Sequence, residues 1–241
     1  MITRVLAALG LSAVLAAKPS HAQDREPNVE PDLPVNFGYK MAWFAIRTTD
    51  TGGIAEAFRL SQAVPANWAS GVGIVRREAD AALAFVAPPV EGWTLVVTTL
   101  DIAAEDQDKA QKILALLSDL SRQFGEALHF GTYRVVDYHA WFHARDGAVT
   151  RAFSWCPETE GIVVNIGATT EAERARGLGD LSRMTFDALL EAGDQPDPTA
   201  RPPTEEDVVE LAAVWSVDPL TLDLRTDATP SVGVLGTLPH F

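Results

Sequence analysis

The sequence predicts an α+β fold: mainly antiparallel sheet, packed with one long amphipathic helix and short C-terminal helices. Three observations carry this. Short runs rich in β-branched and aromatic residues alternate with Gly, Pro and Asp turn signals. Across residues 105–124, Ile113, Leu116, Leu117, Leu120 and Phe124 recur at helical spacing, with Lys, Gln, Asp and Arg between them. Near the C-terminus, Thr204-Glu205-Glu206-Asp207 resembles a capping box, with Asp in the reaching position, ahead of an apolar stripe of Val208, Leu211, Ala212 and Trp215.

Residues 1–22 read as a secretory signal peptide. Arg4 supplies a basic start, residues 5–17 an almost unbroken apolar run, and Ser20-His21-Ala22 the small-x-small pattern of a cleavage site. A run of thirteen residues is too short for a bilayer core, which needs about 20, so no membrane span is expected after cleavage. A retained anchor is the alternative. The expected location is periplasmic or secreted. Residues 23–36, with three prolines and mixed charge, read as a flexible lead-in to a single domain over 37–225, followed by an extended tail at 226–241.

Within the domain, 39–47 is expected as a buried strand and 54–60 as a short helix that Pro65 ends. Residues 71–77 and 82–87 read as two strands of a hairpin turned at 78–81, and 92–100 as a further strand. Gly125 stops the helix over 105–124. Strands follow at 127–130, 133–144, 149–155 and 162–166, with Asp146-Gly147 as a hairpin turn. Residues 170–176 suggest one or two helical turns, 180–192 a helix, and the proline-rich 193–203 a linker. The segment Ala42-Trp43-Phe44-Ala45-Ile46-Arg47 is echoed by Ala140-Trp141-Phe142-His143-Ala144-Arg145. Two similar lobes, 37–100 and 105–192, are one explanation of the echo, and chance is the other.

Composition narrows the function. Net charge is −14, and the expected leader contains Arg4, Lys18 and no acid, so the mature chain stands at −16. Such a surface repels nucleic acid and anionic lipid and suits a basic protein partner. Cys156 is the single cysteine, so no internal disulfide is expected. Its setting between Trp155 and Pro157 suggests packing rather than nucleophilic chemistry. No glycine-rich phosphate loop, calcium loop, G-x-S-x-G or S-x-x-K pattern occurs, and no cofactor is expected.

The catalytic candidates are Asp137, His139 and Arg151: a carboxylate can orient a histidine as general base, with a cation beside it. His139, Trp141 and His143 share one strand face, but positions four apart lie roughly 13 Å apart at about 3.3 Å per residue. That span does not suit two ligands of one ion, so no metal is expected. Trp68, Trp93, Trp141 and Trp155 are candidates for partner anchors, since Trp dominates binding hot spots.

Several segments together resemble an uncharacterised bacterial protein family of unknown function. They are Pro65-Ala66-Asn67-Trp68, Phe85-Val86 to Gly92-Trp93, Phe130-Gly131-Thr132-Tyr133-Arg134-Val135-Val136-Asp137-Tyr138-His139-Ala140-Trp141, Arg151-Ala152-Phe153, and Glu206-Asp207-Val208 to Pro219. The resemblance implies a single α+β unit and carries no functional residue with it. Members look cytoplasmic, which the leader here departs from, and some resemble toxin-immunity proteins. The resulting expectation is an exported, non-catalytic binding protein of the cell envelope, with an immunity-like role as its sharpest form. An exported hydrolase with a site near His139 is the alternative.

Overall fold

Strands buried on both faces need apolar residues at consecutive positions, and runs such as Met-Ala-Trp-Phe-Ala-Ile meet that need. A computed structural model describes residues 26–78, 81–99, 103–159, 161–181 and 201–239. Among them, nine strands form one sheet in the order β2-β9-β3-β4-β1-β5-β6-β7-β8, and every neighbouring pair is antiparallel. The strands are β1 (Met41–Ile46), β2 (Ser61–Asn67), β3 (Leu83–Val86), β4 (Thr94–Thr98), β5 (Glu126–Tyr133), β6 (Tyr138–Arg145), β7 (Ala148–Cys156), β8 (Gly161–Ile166) and β9 (Val232–Thr237). Five α-helices accompany them among the described residues: α1 (Thr51–Ala57), α2 (Trp68–Arg77), α3 (Gln107–Phe124), α4 (Glu171–Ala175) and α5 (Glu205–Trp215). The fold is α+β. The expected leader at 1–22, most of the helix at 180–192 and most of the linker at 193–203 lie outside the described residues.

Side-chain alternation divides the sheet into two cores. Trp43, Phe85, Leu95, Phe130, Trp141, Phe153 and Trp155 point to one face, where Val72 and Val75 of α2 and Val208 and Leu211 of α5 cover them. Phe44, Ile46, Val96, Phe142 and Ala152 point to the other, beneath Ile54 of α1 and Ile113, Leu117 and Leu120 of α3. The Asp106 carboxylate caps α3 by accepting from Lys109 N at 2.8 Å, and Gly125 closes it at φ 90°. The two echoed segments flank β5 in register. Ala42, Trp43 and Phe44 face Gly131, Phe130 and His129, whose other neighbours are Ala140, Trp141 and Phe142. Trp43 stacks on Phe130 with ring centres 5.3 Å apart.

Four segments differ from expectation. Residues 71–77 are the body of helix α2 rather than a hairpin strand. Its start is set upstream: Asn67 Oδ1 accepts from Ser70 N at 3.0 Å, and the Asp32 carboxylate accepts from Trp68 N at 2.7 Å and Ala69 N at 2.9 Å. Gly71 lets this helix settle on β3, since a Cβ there would overlap the Phe85 ring. Pro65 lies within β2, an edge strand whose one neighbour in the sheet is β9, so its missing N–H costs little. Part of the expected tail is β9, inserted between β2 and β3. The end of the expected lead-in is also fastened: Asn28 N donates to Ser70 Oγ at 2.9 Å, and Asn36 Nδ2 to Asp223 Oδ1 at 2.8 Å.

Candidate functional site

The β5–β6 register sets Thr132 opposite His139, and the β6–β7 register sets His139 opposite Trp155. His139 Nδ1 lies 3.0 Å from Thr132 Oγ1, and Nε2 lies 3.1 Å from Asp137 Oδ1. Trp155 Nε1–H donates to the other Asp137 oxygen at 3.2 Å. Asp137 reaches this position from a left-handed backbone conformation, φ 53°, at the end of the β5–β6 turn. The result is a hydroxyl–imidazole–carboxylate chain. Its accessibility runs opposite to what attack on a substrate needs: Thr132 is 0% exposed and His139 2%, while the Asp137 side chain is 52% exposed. Burial pulls the His139 pKa below the ordinary imidazole value, against the hydrogen bond and charge of Asp137 and the charges of Asp207 and Glu205.

Arg151 does not join this chain. Its cross-strand partner is His143, and the Trp141–Phe153 pair separates it from the His139–Trp155 pair. Buried Glu173 of α4 meets it: Arg151 Nε donates to both carboxylate oxygens at 2.9 and 3.0 Å, and Nη2 lies 2.7 Å from Oε1. Trp141 Nε1–H and Thr170 N–H supply two further donors, at 2.8 and 2.6 Å. Arg151 Nη1 donates to Asn165 Oδ1 at 2.8 Å and Ile166 O at 2.9 Å. Burial pushes the Glu173 carboxyl up, but Arg151 and Thr170 outweigh it and hold its pKa below the ordinary value. This ion pair clamps α4 to the sheet, although Arg151 Nη2, close to the carboxylate, is not aimed to donate a hydrogen bond to it.

A second carboxylate is held in the same way. Buried Asp207 of α5 accepts from Arg201 Nη1 and Nη2 at 2.6 and 2.7 Å, from Arg176 Nε at 3.1 Å and from Thr204 N at 2.9 Å. The remaining histidines of the sheet go separate ways. His143 Nε2 lies 2.8 Å from Glu126 Oε1. His129 is wedged between Phe44 and Phe142 on the opposite face, with ring centres 4.6 and 5.5 Å away and neither nitrogen bonded. Burial lowers its pKa to about 3. Among the described residues no group of three or more His, Cys, Asp or Glu is placed to hold a metal ion.

The four nominated tryptophans also part company. Trp141 and Trp155 have their indole N–H groups engaged by Glu173 and Asp137. Trp93 is buried, with the Arg47 guanidinium 5.0 Å from its ring centre. Trp68 stands edge-on to Phe85, is fully buried, and its Nε1–H has no acceptor. An unpaired buried donor costs about 1–3 kcal/mol. Trp68 lines a cleft of about 340 Å³, walled by Pro34, Pro88, Pro89 and Val90. Arg225 lines the same cleft; its Nη1 is bonded to Glu91, while its buried Nε–H has no acceptor.

Thr132, Glu173 and Arg225 were not singled out from the sequence. Only the pairing of β5 with β6 gives Thr132 its meaning, only the docking of α4 gives Glu173 its partner, and Arg225 stands alone in a segment without a motif. No protein-family model, curated protein or solved structure matches this chain.

Proposed function

We propose that the protein is an exported, non-catalytic binding protein of the cell envelope that takes a basic protein partner, in an immunity-like role. The observation that carries this reading is where its polar groups stand. Buried His139 is engaged by Thr132 and Asp137, and buried Arg151 by Glu173, whereas carboxylates collect at an exposed aromatic residue. Tyr39 is 40% exposed. Its pKa is raised by burial and then by the charges of Glu206, Glu205 and Asp218. Glu206 and Glu205 come from the first turn of α5, and Asp218 from just beyond its end. Glu205 is already paired with Arg134 at 3.2 Å, and an aromatic face beside the other two carboxylates suits Lys or Arg side chains. No helix among the described residues is long and apolar enough to cross a membrane.

The test is affinity capture from envelope extract on the immobilised chain across a salt series. The expected partner is a basic protein whose retention falls steeply with salt and is lost in Glu206→Lys. A partner-free monomer at every ionic strength counts against the reading. The hydrolase alternative rests on the Thr132–His139–Asp137 chain. Ester or amide hydrolysis that His139→Ala abolishes, in a variant that still folds, would favour it instead.

A further inference from the structure

We infer that the cleft between Trp68 and Arg225 is a binding site for a small monocarboxylate with an apolar body. Two observations made independently of the protein-partner reading meet there. The first is space. A volume of about 340 Å³ far exceeds one water, whose share of the liquid is about 30 Å³, and falls in the range of small-ligand pockets. The second is unmet hydrogen bonding. Trp68 Nε1–H and Arg225 Nε–H both lack an acceptor, and both residues line this space.

The ligand class follows from the groups present. Both unpaired groups are donors, so the ligand presents an acceptor. One donor belongs to a guanidinium, which bonds most strongly to an anion and can meet a carboxylate through two parallel N–H groups. Pro34, Pro88, Pro89 and Val90 form walls that offer apolar contact, and the prolines are pre-ordered, so little freedom is lost on binding. Glu91 and Asp227 limit the charge. Glu91 already holds Arg225 Nη1, and Asp227 also lines the cleft. A dianion such as phosphate or a dicarboxylate meets both acids, whereas a single carboxylate needs only the free edge of Arg225 and the indole N–H.

The segments that build the cleft are far apart in sequence but tied together. Trp68 is held by Asp32, whose backbone bridges to Ser231, a further lining residue. The Val90–Trp93 turn carries Glu91 in the left-handed conformation, φ 52°, where it meets Arg225. The walls of the cleft are therefore held before any ligand arrives, and a small side-chain shift brings the two buried N–H groups to it.

Isothermal titration calorimetry on the full chain tests this with straight and branched monocarboxylates from propanoate to octanoate, their primary amides, and inorganic phosphate. The expected result is saturable binding of at least one acid, with its amide and phosphate weaker by about tenfold or more. Arg225→Gln should weaken the acid by about ten- to a hundredfold, and Trp68→Phe by about two- to tenfold. Circular dichroism melting of each variant checks that it folds, and the acid-against-amide comparison on the unaltered chain stands without any variant. No binding by any acid at millimolar concentration, or equal binding of an acid and its amide, overturns the proposal. So does acid binding that survives unchanged in a folded Arg225→Gln variant.

Discussion

Arg151 and Arg225 bring the same guanidinium to two regions of one molecule, and the regions treat it in opposite ways. Arg151 lies under α4 with acceptors for Nε and Nη1; its Nη2 makes no hydrogen bond but is neutralised by the Glu173 carboxylate 2.7 Å away. Arg225 stands in a cleft with one group on Glu91 and another facing no acceptor. A buried charge whose neighbours satisfy it is part of the scaffold, because any change there exposes a full desolvation cost. A buried donor left unsatisfied beside open space is a group whose partner comes from elsewhere. The same contrast separates Trp141, bonded to Glu173, from Trp68, bonded to nothing through its indole.

The sharpest break of this comparison is Glu173→Ala. It strands the Arg151 guanidinium and the Trp141 N–H in the core, and should lower unfolding free energy by about 3–5 kcal/mol in urea titrations. The paired replacement Arg151→Met with Glu173→Leu should recover most of that loss. Stability of the single variant within 1 kcal/mol of the parent, by the same titration and on the scale of about 3–5 kcal/mol expected, would remove the clamp from the scaffold.

His129 tests whether an unsatisfied group without a cavity behaves as a cost alone. Burial holds its pKa at about 3 in the folded chain, against the ordinary imidazole value of 6.5. Between those values the unfolded chain binds more protons, so stability rises with pH and is lost as pH falls from 6.5 towards 3. The loss approaches a few kcal/mol, on the order of 4, at the acid end. Glu173 and Asp207, with pKa values held below the ordinary carboxylate range, add their own loss below those ordinary values. Urea titrations at a series of pH values should show a clearly shallower decline between pH 6 and 5 in His129→Phe than in the parent, the remaining slope coming from His139, whose pKa burial also lowers. A parallel decline in both would contradict the assignment.

The smallest effect compares two tryptophans. Trp141→Phe removes a donor from a fully buried carboxylate, and Trp155→Phe one from half-exposed Asp137, which water can serve instead. Thermal unfolding should show a loss of about 1–3 kcal/mol for the first and about 1 kcal/mol or less for the second, beyond the shared change in ring size.

Sequence alone determined what depends on neighbours a few residues away. Asp146-Gly147 has the paired positive φ values, 51° and 83°, of a tight hairpin turn. Thr170 and Glu173 form a capping box at α4, and the Asp207 carboxylate reaches back to Thr204 N. The continuous apolar runs of β1 and β4 match their burial on both faces. Tertiary structure decided the rest, because the deciding partners are remote. Asp32 begins α2 from 36 residues upstream of Trp68, which local pattern read as lying ahead of a strand. β9 enters between β2 and β3, and so decides that Pro65 stands on an edge. The Asp137–His139 contact was legible because a single residue separates the pair, while Arg151 was drawn away by Glu173, 22 residues further on. The cleft joins Pro34, Trp68, Glu91 and Arg225. No local spacing encodes such a set, because side chains so distant meet only after the sheet has closed.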